Sequence, residues 1–281
     1  MTVQSLINGK VGDQVSIFDR GLLYGDGVFE TMAMLGRRLA LWHEHMQRLQ
    51  SACEVLGFSF PGKLLLEKEI RQLIGSHEQG ATLKITLTRG VGERGYRPVR
   101  GNTPTRIISI HDGPDLPKNY IENGIRLRCC DMRLATSKLA GLKHLNRLEQ
   151  VLAQAEWQPE QGIQEGLMLN HDNHVIEGTM TNVFIVKNEV LITPDLTHAG
   201  VAGVMRRYLM DIAQNHNIEI RESHLSLADV KNADEVFVTN SVIGIWPVRQ
   251  FDDVLWPAPG DITKRLVSLL DIHRKTSGIV V

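Results

Sequence analysis

Cysteine is scarce in this chain, and the few cysteines present do not suggest a disulfide or a zinc site. Only Cys53, Cys129 and Cys130 occur among the 281 residues, and the adjacent pair would point to opposite faces of a strand. An odd number of cysteines argues against a disulfide framework and fits a reducing cytoplasm. The histidines form no HExxH or CxxC-linked set, so no metal site is predicted.

Long apolar runs and an excess of charge of either sign are also missing. No run approaches the ~20 apolar residues that span a bilayer, and the first five residues lack the basic and apolar regions of a signal peptide. The formal net charge is −1 and no basic cluster occurs, so nothing favours binding to nucleic acid. We therefore expect a cytoplasmic protein without a nucleic-acid or membrane partner.

The pattern of apolar residues predicts an α/β or α+β fold in two domains with mixed sheets. Helical spacing occurs from Trp42 to Leu56 and from Lys63 to Ile74, and alternation predicts several strands. A polar stretch with two prolines marks a linker at 113–120, between a smaller N-terminal α/β domain (1–112) and a larger C-terminal domain (121–281) with a mixed sheet or barrel. In the larger domain, helices are predicted at about 144–157, 203–215 and 261–275.

Two segments of the second half carry residues suited to catalysis. Lys143 lies in AGLKHLNRLEQ, between a loop and the start of a predicted helix. Most lysines are solvated, but one whose pKa is depressed by burial or by nearby positive charge can form an imine. Glu177 ends a predicted strand in VIEGTMTNVF, where Gly178 lets the chain turn. A simple β-turn with Glu177 in solvent would also explain that segment.

Two other segments could hold an anion. Two glycines precede a predicted helix in AGVAGVMRR, residues 199–207. Free N–H groups at a helix N-terminus bind phosphate well, although such a loop is also an ordinary way to enter a helix. Arg48, in HEHMQRL, lies beside the apolar stripe of its predicted helix, so its guanidinium could reach a phosphate or an internal carboxylate.

In their order along the chain, these segments resemble the fold-type IV pyridoxal 5′-phosphate (PLP) enzymes. That group contains branched-chain aminotransferases, D-amino acid aminotransferases and aminodeoxychorismate lyases. The resemblance covers nearly the whole chain in six ordered places: RGLLYGDGVFET (20–31), HMQRL (45–49), the lysine at 143, EGTMTNVF (177–184), GVAGVMR (200–206) and TNS (239–241).

The resemblance implies a cofactor site. Lys143 would form the Schiff base with PLP, and Glu177 would face the pyridine nitrogen, which a neighbouring carboxylate keeps protonated. Arg48 would bind the phosphate. The rest of the phosphate cup would come from main-chain groups of Val201 and Ala202 and from Ser241 and Val242.

Within the group, the segment KHLNRLEQ resembles the aminodeoxychorismate lyases. Branched-chain aminotransferases usually carry a glycine pair after the lysine, where this chain has Leu145 and Asn146. The loop RGVGERGY (89–96) also resembles the lyase loop. Glu30, in contrast, follows Phe29 as in many D-amino acid aminotransferases, where some lyases carry threonine.

The lyase resemblance implies a step towards folate, in which 4-amino-4-deoxychorismate gives 4-aminobenzoate and pyruvate. Lys143 would move the proton, and Thr31 could assist the leaving group. Arg94, with Tyr96 nearby, would bind substrate carboxylates, although Arg94 could equally be a charge on a surface loop. The alternative is a PLP-dependent aminotransferase acting on D- or branched-chain amino acids. The family also implies a homodimer.

Overall fold

The computed structural model describes residues 4–74, 80–98, 101–113 and 117–281, without the side chains of 273–276. Residues 114–116 of the predicted linker therefore lie outside the described residues. The helices in the described part are α1 Arg20–Tyr24, α2 Trp42–Leu56, α3 Lys63–Ile74, α4 Lys118–Asn123, α5 Leu148–Gln154, α6 Val204–Asn215, α7 Leu227–Lys231 and α8 Asp261–Thr276.

The strands in the same residues form two sheets. They are β1 Gln4–Ile7, β2 Lys10–Val11, β3 Gly27–Leu35, β4 Arg38–Leu39, β5 Ala81–Thr88, β6 Thr105–Asp112, β7 Ile125–Leu134, β8 Glu165–Asn170, β9 Val175–Gly178, β10 Asn182–Lys187, β11 Val190–Pro194, β12 Ile220–Ser223, β13 Glu235–Asn240, β14 Gly244–Phe251, β15 Val254–Leu255 and β16 Ile279–Val280.

The chain divides into two compact units. The first contains the described residues before 114 with Lys143–Asn146 and Arg274–Val281, and the second contains 117–142 and Arg147–His273. The predicted domains placed 143–146 and 274–281 in the second half. These segments belong to the first unit because each pairs with a strand there: His144 bridges Val28, and Ile279 pairs with Leu39.

The first unit is built on an antiparallel sheet in the order β16-β4-β3-β5-β6-β1-β2. Side chains alternate along β3, β5 and β6, so that Met32, Leu83 and Ile108 are buried on one face. The predicted helix α2 has the expected bounds, and Met46 and Leu49 lie on its buried side. Gly57, in the left-handed conformation with φ 69°, ends it.

The second unit contains a mixed sheet, as predicted, in the order β12-β11-β10-β13-β14-β7-β8-β9 with β15 beside β14. The pairs β11–β12, β14–β7 and β7–β8 are parallel, and the other pairs are antiparallel. Every residue of β8 and β9 and all but the last residue of β10 are buried, including the polar residues Glu165, Asn170 and Glu177. No helix among the described residues is long and apolar enough to cross a membrane.

The predicted helix after Lys143 begins later than expected. Residues 143–147 are not helical, and α5 starts only at Leu148. The N–H of Phe29 donates to the carbonyl of Lys143 at 3.0 Å, and the N–H of Leu145 donates to the carbonyl of Gly27 at 3.0 Å. This pairing with β3 holds the segment outside the helix, so the helix starts only after it.

Candidate active site

Lys143 is held against the start of β3 by a short extended pairing. His144 bridges Val28, and this contact needs a glycine at position 27, where a Cβ atom would lie 2.4 Å from the carbonyl oxygen of Leu87. Lys143 is half-buried, and its Nζ lies 4.4 Å from the centre of the Phe29 ring. An ammonium over an aromatic face is stabilised by the ring quadrupole, so the amine has a defined position.

The glycine-rich loop before β3 receives the next part of the lysine segment. The amide of Asn146 donates to the carbonyl of Gly25 at 3.2 Å, and a Cβ at Gly25 would lie 2.2 Å from Asn146 Oδ1. Gly25 also has φ 63°, which favours glycine. The segments YGDG and KHLN, far apart in the chain, are therefore complementary in structure.

Thr31 lies on β3 two residues after Phe29, so both side chains point to the same face of the sheet. Both are half-buried, whereas Val28 and Glu30 between and beside them are buried on the opposite face. Thr31 thus shares its sheet face with the ring that Lys143 contacts. The predicted role of its hydroxyl in assisting the leaving group stays a prediction.

Arg48 reaches an internal carboxylate. Its Nε donates to Glu30 Oε1 at 2.7 Å, while Nη2 donates to Oε2. His45 Nδ1 lies 2.6 Å from the same Oε2, and both Glu30 and His45 are fully buried. This pairing fixes the direction of the guanidinium; the role of Arg48 in phosphate binding stays a prediction.

Opposing effects set the charges of this group. Burial alone would raise the pKa of Glu30, but the charge of Arg48 and the hydrogen bond from His45 outweigh it and lower the pKa to about 2. Burial lowers the pKa of His45 against the attraction of Glu30, and the charges of Arg48 and Lys143 lower it further. Glu30 is therefore ionised at neutral pH although it is buried.

Glu177 ends β9 as a buried carboxylate and not as a solvated turn residue. It is 4% exposed, and its Oε2 accepts the N–H of Val201 at 2.8 Å. Gln150 of α5 donates to Oε1 at 3.3 Å. Burial lowers the pKa of Arg147 while the charge of Glu177 raises it, so a cation also lies within electrostatic reach of this carboxylate.

The loop at 199–203 is held by hydrogen bonds to three other segments of the second unit. Besides the bond to Glu177, Val201 offers its carbonyl to Asn182 Nδ2 at 2.9 Å. Gly141 donates to the carbonyl of Gly200 at 2.9 Å and accepts the N–H of Ala202 at 3.1 Å. Gly203 then caps α6, whose first N–H groups have no partner within the helix.

These hydrogen bonds refine the predicted phosphate cup. The N–H groups of Val201 and Ala202 donate to Glu177 and Gly141, so within the protein they organise the loop that leads into α6. Ser241 and Val242 lie in the turn after β13, where Asn240 Oδ1 accepts the N–H of Val242 at 2.9 Å. Their contacts with a phosphate stay predictions.

Glu165 is a structural residue of the site that sequence reasoning missed. It is fully buried on β8 and accepts hydrogen bonds from the N–H of Thr179 at 3.1 Å and the hydroxyl of Thr181 at 3.0 Å. It therefore shapes the turn after Glu177. Gln150, Gly141 and Asn240 were missed in the same way, since only the fold shows what they contact.

Arg94 and Tyr96 lie on an exposed loop of the first unit. Tyr96 is 85% exposed and packs edge-on against Tyr24, with ring centres 5.4 Å apart. The buried Arg20 anchors the loop by donating to the carbonyls of Gly95 at 3.0 Å and Tyr96 at 2.9 Å. The position of this loop is thus fixed by the glycine-rich segment, and the predicted substrate contacts stay predictions.

The second unit fits the ring and phosphate of PLP. Glu177 is a buried acid suited to a pyridinium, and Gln150 Oε1 beside it is a buried acceptor without a hydrogen-bond partner among the described residues. The start of α6 suits a phosphate dianion. Gly200, with φ 84°, keeps the space next to Glu177 open, because a Cβ there would lie 3.2 Å from Glu177 Oε2. The fold and these groups define a PLP enzyme of fold type IV.

Known proteins agree with this class. The sequence model of the class IV amino-transferase family matches residues 27–251. An aminodeoxychorismate lyase of Vibrio harveyi is 37% identical over 86% of this chain and 89% of its own length. The crystal structure of 4-amino-4-deoxychorismate lyase from Pseudomonas aeruginosa is 40% identical, with a TM-score of 0.90 over 95% of this chain and 98% of that one. A putative branched-chain-amino-acid aminotransferase of Methanocaldococcus jannaschii is 33% identical over 98% of both chains.

The chain therefore belongs to the class IV aminotransferase family. Its cofactor is PLP, as in the other enzymes of this family, and its fold is the predicted fold-type IV architecture.

Proposed function

We propose that this enzyme is a 4-amino-4-deoxychorismate lyase, which releases pyruvate and forms 4-aminobenzoate for folate synthesis. The observation that carries the proposal is the similarity, over most of both chains, to lyases from two bacteria. The segment after Lys143 adds a structural argument. It places Asn146 on the glycine-rich loop and Gln150 on Glu177, so the residues that resemble the lyase pattern contact other parts of the candidate site.

Bound PLP supplies an aldehyde that takes up the substrate amine and a pyridinium that accepts electrons from the neighbouring carbon. In our proposal Lys143 holds the cofactor in the resting enzyme, and its amine then removes the proton from the carbon that bears nitrogen. Glu177 keeps a proton on the ring nitrogen; its burial without a solvent shell supports this role.

The leaving group also needs a proton. When the carbon–oxygen bond to the enolpyruvyl group breaks, the oxygen receives a proton from Lys143 or from the hydroxyl of Thr31. The ring becomes aromatic as pyruvate leaves, and this drives the step. The position of Thr31 on the same face of β3 as Phe29 supports its inclusion.

Charged and main-chain groups bind the rest of the cofactor and the substrate. We assign the phosphate to Arg48 and the start of α6, with Val201, Ala202, Ser241 and Val242 around it. Two carboxylates of the substrate remain, and Arg94 with Tyr96 is assigned to one of them. The rigid attachment of their loop to Arg20 supports a binding role.

We further propose that the enzyme is a cytoplasmic homodimer. The three cysteines are free, and burial raises the pKa of Cys53 and of Cys130 to about 12, which makes them poor nucleophiles. Exposed apolar side chains are concentrated near the glycine-rich loop of the first unit: Ile17, Phe18, Leu22, Leu23, Val91 and Tyr96. Patches of this kind are typical of protein interfaces.

An aminotransferase acting on D- or branched-chain amino acids is the second candidate. It is favoured by the similarity to the archaeal aminotransferase and by Glu30. The two reactions differ in their products, so purified enzyme with 4-amino-4-deoxychorismate should form 4-aminobenzoate and pyruvate in equal amounts. Keto-acid formation from D-alanine or L-leucine with 2-oxoglutarate, without any 4-aminobenzoate, would reject the lyase proposal.

The role of Lys143 is tested by Lys143→Ala. Wild-type protein should show the visible absorbance of lysine-linked PLP, and the variant should lose it. The kcat of the variant should fall by a factor on the order of 10³ or more, because general acid–base catalysis and the covalent link are lost together. Lys138→Ala, five residues away and exposed, is the matched control and should keep both colour and rate. An active, normally coloured Lys143→Ala would refute the assignment.

A further inference from the structure

One face of the first sheet is polar. On β5 and β6 the inner face is apolar and buried, whereas the opposite face carries mainly polar side chains. Its half-buried members include Phe29, Thr31, Thr82, Thr86, Ile107, Ser109 and His111, and Lys84 among them is exposed. An antiparallel sheet with its core on one side commonly leaves its other face in contact with solvent, and here that face contacts Lys143 through the ring of Phe29.

Lys84 lies at the centre of this face. It pairs directly with Thr31 of β3 and with Ser109 of β6, so a hydroxyl-bearing side chain stands on either side of it. Its Nζ lies 5.2 Å from the centre of the Phe29 ring, the ring whose centre is 4.4 Å from Lys143 Nζ. Two amines thus converge on one aromatic side chain.

The charge of Lys84 is not compensated within the described part of the chain. No carboxylate there forms an ion pair with it, whereas Lys187, Lys231 and Lys264 each pair with an aspartate. Lys84 is exposed, so water solvates its ammonium in the free protein. An anionic ligand that binds here exchanges that water for a charge-assisted hydrogen bond.

We infer that Lys84 is a substrate-binding residue whose ammonium binds a carboxylate of the substrate, with Thr31 and Ser109 beside it. The inference rests on the proposed function, because 4-amino-4-deoxychorismate delivers its amino group to Lys143 and carries two carboxylates. Lys84 and Arg94 then provide one cation for each carboxylate. An ammonium bonds a carboxylate as a charged donor, and this second cation favours a dianionic substrate over a simple amino acid.

The test compares Lys84→Met with wild-type enzyme. Loss of a charged hydrogen bond should raise KM for 4-amino-4-deoxychorismate about 10- to 100-fold with a smaller change in kcat, while the visible absorbance of the bound cofactor stays unchanged. Lys84→Arg should recover most of the affinity. Lys63→Met, an exposed lysine on α3, is the control and should leave KM unchanged.

Equilibrium binding of 4-aminobenzoate supplies a readout that does not depend on turnover. If both KM and the Kd of 4-aminobenzoate rise in Lys84→Met, the residue binds the ring carboxylate; if KM alone rises, it binds the enolpyruvyl carboxylate. If neither rises, the inference is wrong. A wild-type enzyme that makes no 4-aminobenzoate would reject the proposed function, whereas a wild-type enzyme that makes it, with KM and Kd both unchanged in Lys84→Met, would reject the role of Lys84 alone.

Discussion

Glu30 shows how one residue can stabilise the fold and orient a side chain of the site. It is buried on β3, yet ionised, because Arg48 and His45 both bond its oxygens. Sequence reasoning noticed Glu30 only as a departure from some lyases and left two partners open for Arg48, a phosphate and an internal carboxylate. The pairing depends on the packing of α2 against β3, which residue spacing alone does not reveal.

A pH dependence of stability follows from the lowered pKa of Glu30. Because the pKa in the folded protein is about 2 and not 4.5, the stabilisation is complete above pH 4.5 and is lost as pH falls towards 2. It amounts to about 3 kcal/mol at 1.36 kcal/mol per pKa unit. Glu30→Gln should therefore lower the urea midpoint strongly at pH 7, and the gap to wild type should narrow at pH 3.

The control for this prediction is Glu67→Gln. Glu67 pairs with Arg71 on the surface of α3, and such pairs contribute about 0–1 kcal/mol. The variant should unfold almost as wild type does at both pH values. A gap between Glu30→Gln and wild type that is the same at pH 7 and pH 3 would show that the charge of Glu30 is not the cause.

At the scale of helices and strands, the sequence pattern predicted those elements whose apolar residues recur along one face. The apolar residues of α2 recur along one face, so its bounds matched the prediction. The segment after Lys143 has a helical pattern too, but non-local hydrogen bonds to Gly27 and Phe29 hold 143–145 against β3 and outside the helix. Strand β14 was not predicted, because it contains Pro247 and shows no alternation between buried and exposed positions over its first five residues.

The loop at 199–203 gives a prediction at this scale. Gly200→Ala would place a Cβ 2.7 Å from Ile176 Cγ2 in a backbone with φ 84°, so the loop must shift. We expect stability to fall by about 1–3 kcal/mol from overpacking, and the Kd for PLP, measured by absorbance titration, to rise because Val201 moves away from Glu177. Gly62→Ala is the matched control, since Gly62 has φ 94° but no atom within 4 Å of a Cβ.

The comparison of Gly200→Ala with Gly62→Ala distinguishes backbone strain from a steric clash of the added Cβ atom. Both alanine variants carry the cost of a positive φ, and only Gly200→Ala adds the contact with Ile176. Equal losses of stability and of PLP affinity in the two variants would show that the loop tolerates the added atom and that its shape does not control cofactor binding.

For the whole molecule, the exposed apolar side chains near the glycine-rich loop support self-association. Phe18 is 58% and Leu22 63% exposed, and the N–H of Gly92 donates to the carbonyl of Phe18, so the loop with Arg94 and Tyr96 adjoins this patch. Burying such a patch between two copies would remove it from water. It would also place a predicted substrate-binding loop at the interface, and quaternary structure would then affect substrate affinity.

Light scattering and enzyme kinetics on Leu22→Glu test this link. The wild type should have twice the 31.5 kDa mass of one chain, and a buried unpaired charge should convert the variant to monomers with a raised KM. Leu64→Glu adds the same charge at a leucine that is 84% exposed on α3, away from the patch, and should remain dimeric. If the wild type is a fully active monomer, the patch has another purpose, and Arg94 must bind substrate without help from a second chain.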